Sequence, residues 1–117
     1  MKADAIIDMA ILAELRSATG DEFLGELIDT YCQETPQLIA ALQTALTQGD
    51  AEGFRRQAHS IKSSSATFGA TAFAALAREL EMLGRDGNLG QAGSQVAQLV
   101  VGYAAVERSL RELQHAP

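Results

Sequence analysis

Cysteine is nearly missing from this chain: Cys32 is the only one among 117 residues, so no intramolecular disulfide can form. A lone thiol of this kind suits a reducing compartment, and cytoplasm is the expected location. Its expected place is as a small core residue on a helix. Prolines number only two, which leaves long helices possible. No stretch approaches the roughly 18 apolar residues of a membrane span. The opening Met1-Lys2-Ala3-Asp4 also lacks the apolar core of a signal peptide, since Asp8 interrupts the one candidate. Basic residues are outnumbered, 9 against 15 acidic ones, and the net charge of -6 argues against general nucleic-acid binding. Acidity by itself otherwise speaks only to solubility. There is no Gly-rich loop ending in Lys-Ser or Lys-Thr, and no acidic cluster arranged for magnesium. His59, His115 and Cys32 lack metal-ligand spacing, so no metal site is expected. No cofactor is expected either.

What remains is a chain with 47% hydrophobic and 21% charged residues, patterned for helices and free of strand alternation, repeats or low-complexity tracts. Its length fits one domain over residues 1–117, with room for a single core but not for a kinase catalytic domain as well.

Turn and cap signals divide the sequence into five helical segments. Asp8 can cap a short first helix reaching about Arg16, with Ile11, Leu12 and Leu15 facing inward. Gly20 ends that connection, and Asp21 is placed to cap the second helix. The second helix carries Leu24, Ile28, Tyr31, Leu38 and Leu42 in one phase, with Pro36 inside it. Because the apolar phase survives on both sides of Pro36, a kink is expected rather than a break. Gly49-Asp50 stops this helix and caps the third, which runs from about Ala51 to Phe68 and ends at Gly69. A fourth begins near Thr71 and bears Phe73, Leu76, Leu80 and Leu83. Gly84-Arg85-Asp86-Gly87-Asn88-Leu89-Gly90 reads as a flexible loop with three glycines. The last helix has the most regular stripe: Val96, Leu99, Tyr103, Val106, Leu110 and Leu113. Four long amphipathic helices with short connections bury their stripes against one another. The expected fold is therefore an all-α, antiparallel up-down four-helix bundle, with the short additional N-terminal helix covering one end.

The third helix holds the chemistry. Phe54, Ala58, Ile61, Ser65 and Phe68 recur with gaps of four, three, four and three, forming one buried stripe. His59 lies one step off that stripe, and Lys62, Ser63 and Ala66 share its face. An imidazole on a rigid helix surface, with a cation and small neighbours beside it, is suited to carry a phosphoryl group. Its ordinary pKa of about 6.5 leaves a neutral ring nitrogen as nucleophile near neutral pH. Lys62 can place its ammonium near the phosphoryl oxygens without blocking the line of attack. Ser63 or Ser64 can donate a hydroxyl hydrogen bond, and Ser63 is the better placed. Ser65, on the stripe, is structural.

The run from Ala58 to Ala70 resembles the signature of histidine-containing phosphotransfer (HPt) domains, in which Ala-His-x-hydrophobic-Lys precedes small residues and a hydrophobic-Gly pair. It is similar also to the first domain of chemotaxis histidine kinases. The helical layout agrees over nearly the whole chain, from Ile7-Asp8 through Gly49-Asp50 to Leu83-Gly84-Arg85. The resemblance implies that His59 is the phosphoacceptor and Lys62 its supporting cation. The family usually has glycine after that lysine; here the position is Ser63, still small. The implied partners are a response-regulator receiver domain, whose aspartate exchanges the phosphoryl group, and a sensor or hybrid kinase. Magnesium is expected on the receiver, and the domain itself is a carrier without ATP-dependent kinase activity. Counting from the Gly69-Ala70 turn, Glu81 and Arg85 align with polar positions flanking the histidine in some family members. With Arg78 and Met82 they form one helix face, and Ser63, Ala66, Arg78, Glu81, Met82 and Arg85 are the candidate partner-binding residues. Taken alone, that charged face reads as solvated. A monomer is expected, since the bundle closes its own stripes and the His59 face must stay free.

Two other readings compete. The phosphoacceptor and dimerisation domain of a sensor kinase also carries a histidine on a helical bundle, but usually follows it with Glu or Asp for acid–base work, where this chain has Ser60. A plain interaction bundle with an incidental His59 leaves the small residues from Ser63 to Ala66 unexplained.

Overall fold

The computed structural model describes residues 6–114, so Met1 to Ala5 and His115 to Pro117 lie outside the described residues. Helices α1 (Met9–Thr19), α2 (Asp21–Gln48), α3 (Ala51–Thr67), α4 (Thr71–Arg85) and α5 (Gly93–Gln114) account for nearly all of it, with a 3-10 turn at Leu89–Gln91. The described residues contain no strand. The four long helices pack as a bundle measuring 45 × 26 × 18 Å. The long dimension is set by α2, whose 28 residues span about 42 Å at 1.5 Å per residue.

Asp8 caps α1 as its sequence position predicts, its carboxylate accepting from the Ala10 and Ile11 amides. Asp50 does the same for α3 through the Gly53 amide. Asp21 does not cap α2. Gly20 holds the cap position, and Asp21, as the first helical residue, pairs with Arg16 of α1 at 3.1 Å instead. The positive φ of Gly20 swings α2 away from α1 and brings these two side chains together.

The buried stripes follow the heptad expectation closely. On α3, Phe54, Ala58, Ile61, Ser65 and Phe68 are all buried. On α5, Val96, Leu99, Tyr103, Val106 and Leu110 are buried and Leu113 packs at the margin. On α2 the path differs in its middle. Between Tyr31 and Leu42 it passes through Thr35 and Ile39, while Leu38 is half-buried at the edge. Steps of four, four and three follow the 3.6-residue turn of an ideal helix better than a strict heptad does.

Helix α2 runs unbroken through Pro36. Proline has no N–H for the carbonyl one turn back, which here belongs to Cys32. The Tyr103 hydroxyl of α5 donates to that carbonyl at 3.3 Å, so a donor from another helix replaces the missing backbone bond. Cys32 itself is a buried free thiol, pushed upward in pKa by its burial. Tyr103 belongs to an aromatic cluster with Tyr31, Phe68 and Phe73, whose ring centroids lie 5.0 to 6.2 Å apart.

The segment expected to be a flexible loop begins later than Gly84. Gly84 is buried inside α4, and a Cβ there would stand 3.0 Å from the Arg55 backbone nitrogen and 3.1 Å from the Ala51 carbonyl oxygen. Its missing side chain lets α4 lie directly on the backbone of α3. After it, Leu89–Gln91 form the 3-10 turn, which shortens the irregular segment further.

At the other end of the α3–α4 hairpin, Gly69 turns the chain with φ +82°, and a Cβ there would meet the Asp8 carbonyl oxygen at 2.7 Å. The Gly69 carbonyl accepts from the Asp8 amide at 2.7 Å and from the Thr71 amide at 2.8 Å. The Ile7-Asp8 segment thus docks on the hairpin turn, with Ile7 fully buried, and α1 closes that end of the bundle. No helix among the described residues is long and apolar enough to cross a membrane.

Candidate functional site

The α3–α4 pair is the tightest in the bundle, and small buried residues explain why. Gly84 of α4 lies on the Ala51 and Arg55 backbone of α3, and Ala58 and Ala77 are small and fully buried, which suits a close approach of the two helices. His59 stands on α3 beside this seam with 53% of its side chain exposed, outside the buried stripe as its spacing predicts.

Its ring is not free to rotate. His59 Nδ1 lies 2.9 Å from Oε2 of Glu81, which α4 presents from across the seam. The other carboxylate oxygen, Oε1, lies 2.7 Å from the Lys62 ammonium. Glu81 therefore bridges the histidine and the lysine that the sequence places one helical turn apart. The Lys62 ammonium, ahead of the His59 ring, holds the Glu81 carboxyl below its ordinary range, against the opposing pull of partial burial. Oε1 is shut off from solvent and has no well-aligned donor, so Lys62 balances it by charge rather than by an ideal hydrogen bond.

An ionised carboxylate can only accept, so this hydrogen bond puts a proton on Nδ1, and in the neutral ring that leaves the lone pair on Nε2. A carboxylate at this distance orients the ring.

The side chains around His59 differ from a simple solvated face. Glu81 was expected to be solvated; its side chain is only 18% exposed and joined to His59 and Lys62. The relationship was accessible to counting, because residues 59 and 81 stand equally far from Ala70 in an antiparallel hairpin. Lys62 itself is 29% exposed, its stem lying along the seam. Ser63 and Ala66 are exposed on the His59 face. The Ser64 hydroxyl is spent on the Ser60 carbonyl at 2.9 Å, whereas Ser63 is exposed. Ser65 is structural, sharing a 2.7 Å buried hydrogen bond with the Tyr31 hydroxyl. His115 lies outside the described residues.

Arg78, Met82 and Arg85 continue the same surface along α4 and remain exposed. They line, with Lys62 and Glu81, a depression of about 250 Å³. On the opposite flank of α3, Ser60 and Ser64 face α2 across a larger groove of about 500 Å³ that includes Tyr31, Glu34 and Leu38. Among the described residues no three His, Cys, Asp or Glu side chains converge to hold a metal ion.

Comparison with known proteins identifies the family and the fold. The family model of the Hpt domain matches residues 26–116. No curated protein matches the chain. Among solved structures, the chain is similar to histidine-containing phosphotransfer protein B (HptB) from Pseudomonas aeruginosa PAO1. The TM-score is 0.88 at 31% identity, over 93% of this chain and 94% of that one. The family model spans most of the chain and the similar structure shares its bundle over nearly its full length: the chain is a member of the Hpt domain family.

Proposed function

We propose that His59 is the residue through which this Hpt domain works in a phosphorelay, taking a phosphoryl group on Nε2 and exchanging it with the aspartate of a receiver domain. The observation that carries this reading is the 2.9 Å contact between His59 Nδ1 and Glu81, which leaves Nε2 as the nucleophile of a half-exposed ring. In the forward step Nε2 attacks the phosphorus of the aspartyl phosphate. The P–N bond forms as the P–O bond breaks, and the electron pair returns to the aspartate carboxylate. The ring gains positive charge while retaining its Nδ1 proton, and Glu81 sits where that charge appears. Lys62, one turn along α3, supplies a counter-charge for the phosphoryl oxygens. Ser63 is small enough to admit the partner and carries a hydroxyl within the same face. The magnesium that assists transfer belongs to the receiver on this reading, and a sensor or hybrid kinase stands upstream. The domain works as a monomer, because its apolar stripes are closed within the bundle.

The test is transfer from receiver domains charged with acetyl phosphate. Wild type should acquire an acid-labile, base-stable label, as a P–N bond requires. His59→Gln should remain folded, within about 1 kcal/mol of wild type because the side chain is half exposed, and acquire none. Label persisting in His59→Gln, or residing on His115, overturns the assignment. Gel filtration across a concentration series checks the monomer.

A further inference from the structure

The face of α3 that carries His59 has cations on both sides of the ring. Lys62 stands three residues after it, and Arg55 and Arg56 stand four and three residues before it, so all lie about one turn from the imidazole. Carboxylates match these cations unequally. Lys62 pairs with Glu81 at 2.7 Å, whereas Arg55 and Arg56 share the single carboxylate of Glu52. Arg55 fills that carboxylate as a two-pronged fork, donating from Nε to Oε2 at 3.2 Å and from Nη2 to Oε1 at 2.5 Å. Arg56 reaches only Oε1, at 3.8 Å, and its side chain is 59% exposed. Moving Arg56 away leaves Glu52 still paired with Arg55 and gives up only a long, solvated ion pair of little worth.

The orientation of His59 decides which flank of α3 a group on its ring would occupy. Nδ1 is turned toward α4, where Glu81 holds it at 2.9 Å. The two nitrogens of an imidazole point to nearly opposite sides of the ring, so Nε2 faces away from the seam. Arg55 belongs to the seam side, since a Cβ on Gly84 of α4 would stand 3.0 Å from its backbone nitrogen. Arg56 is about 100° further round the helix. It borders α2 instead, lining a depression with Thr44, Ala45 and Gln48. A helix also tilts its side chains toward its own N-terminus, which lays the His59 ring over the turn that bears Arg56. Lys62, by contrast, is tied at the seam to the same carboxylate that orients Nδ1.

We infer that Arg56 is a second cationic ligand for a phosphoryl group on His59 Nε2, drawn to it from the carboxylate of Glu52. The inference rests on the phosphotransfer reading of His59 and adds a residue on the far side of the ring from Lys62. A phosphoryl group carries up to about two negative charges near neutral pH, while the Lys62 ammonium is already opposed by Glu81. The planar guanidinium of Arg56 can meet two phosphoryl oxygens at once. Its charge attracts an anionic donor before transfer and holds the group once it is attached. Glu52 works against both effects, because it competes with the phosphoryl group for Arg56. The two partners of one ion pair therefore act on the site with opposite signs. An ion pair that only supported the helix would give the same sign for both, since removing either partner breaks it.

The experiment labels the protein with phosphoramidate, which needs no protein partner. Nε2 forms its P–N bond as the P–N bond of the donor breaks, and ammonia leaves with that electron pair. Wild type is compared with Arg56→Gln, Arg56→Lys and Glu52→Gln, and with Arg108→Gln, which removes the same charge from an exposed position of α5. Glu52 and Arg56 are themselves exposed, so the variants keep the core. At low salt Arg56→Gln should label at least about threefold more slowly than wild type, and Arg56→Lys should recover part of that loss. Glu52→Gln should label about twofold faster, and Arg108→Gln should stay within about 1.5-fold of wild type. In phosphorus NMR titrations of the labelled proteins, the second ionisation of the phosphoryl group should move to higher pH in Arg56→Gln, because the cation favouring the dianion is gone. It should move to lower pH in Glu52→Gln. Rates for Arg56→Gln and Glu52→Gln that shift in the same direction, an Arg56→Gln rate within about 1.5-fold of wild type, or an equal effect of Arg108→Gln overturns the role of Arg56 and leaves that of His59 intact. Wild type that takes no label, or label that appears equally in His59→Gln, overturns both.

Discussion

His59 and Glu81 stand eleven residues to either side of Ala70, and their side chains meet at 2.9 Å across the α3–α4 seam. The hairpin turn at Gly69 sets this pairing, and the small residues of the seam bring the helices close enough for a carboxylate to span it. Glu81→Ala removes the fixed tautomer and the charge beneath the ring. Phosphorylation of His59 should slow by about fivefold, the equivalent of about 1 kcal/mol for a partly exposed charged hydrogen bond, without loss of helix signal. The same carboxylate makes stability depend on acid. Because its pKa is lowered in the fold, its stabilisation is present above the ordinary carboxyl value of 4.5 and is lost as pH falls through the lower folded value. Urea titrations should show wild type more stable than Glu81→Gln near neutral pH, with the gap closing in that acidic window.

Lys62 and Ser63 are separable by substitution. Lys62→Ala should shorten the lifetime of the phosphohistidine or slow transfer by a few-fold, a modest effect because the ammonium is partly solvated. It should leave the apolar core intact. Ser63→Gly should preserve or improve receiver docking if small size is what the position requires. Loss of transfer in a folded Ser63→Gly variant would instead assign a role to the hydroxyl.

Pro36 and Tyr103 form a testable couple through the Cys32 carbonyl. Tyr103→Phe leaves that buried acceptor without its donor and should cost about 1–3 kcal/mol in chemical denaturation. Pro36→Ala restores a backbone N–H to the same carbonyl. In the Pro36→Ala background, the cost of Tyr103→Phe should shrink, and equal costs in both backgrounds would disprove the coupling.

Gly84→Ala probes the closest approach of α3 and α4. The added methyl meets backbone atoms at 3.0 to 3.1 Å, which cannot rotate aside. Thermal or urea unfolding should show a loss of about 1–3 kcal/mol, as for other overpacked cores. A shift of the seam would also disturb the His59–Glu81 contact, so phosphorylation should fall together with stability.

The α3 stripe, the α5 stripe, the caps at Asp8 and Asp50 and the reach of α2 through Pro36 were all legible in the chain. Each depends on residues within a few turns of one another, where side-chain spacing and backbone hydrogen bonding act directly. His59 was legible for the same reason, since one helix defines both the buried stripe and the face beside it. The loop boundary was misplaced because Gly84 is locally indistinguishable from a turn glycine; only the backbone of α3 lying against it makes it a helix residue. Leu38 lost its core position to Ile39 because the neighbouring helices, and not the heptad count, decide which edge of α2 faces inward. Glu81 shows the same division most clearly. Its number can be paired with His59 by counting from the turn, but whether a carboxylate there is solvated or shared depends on how closely α3 and α4 pack. Gly84, seated on the α3 backbone, sets that close approach, and with it whether Glu81 reaches the His59 ring.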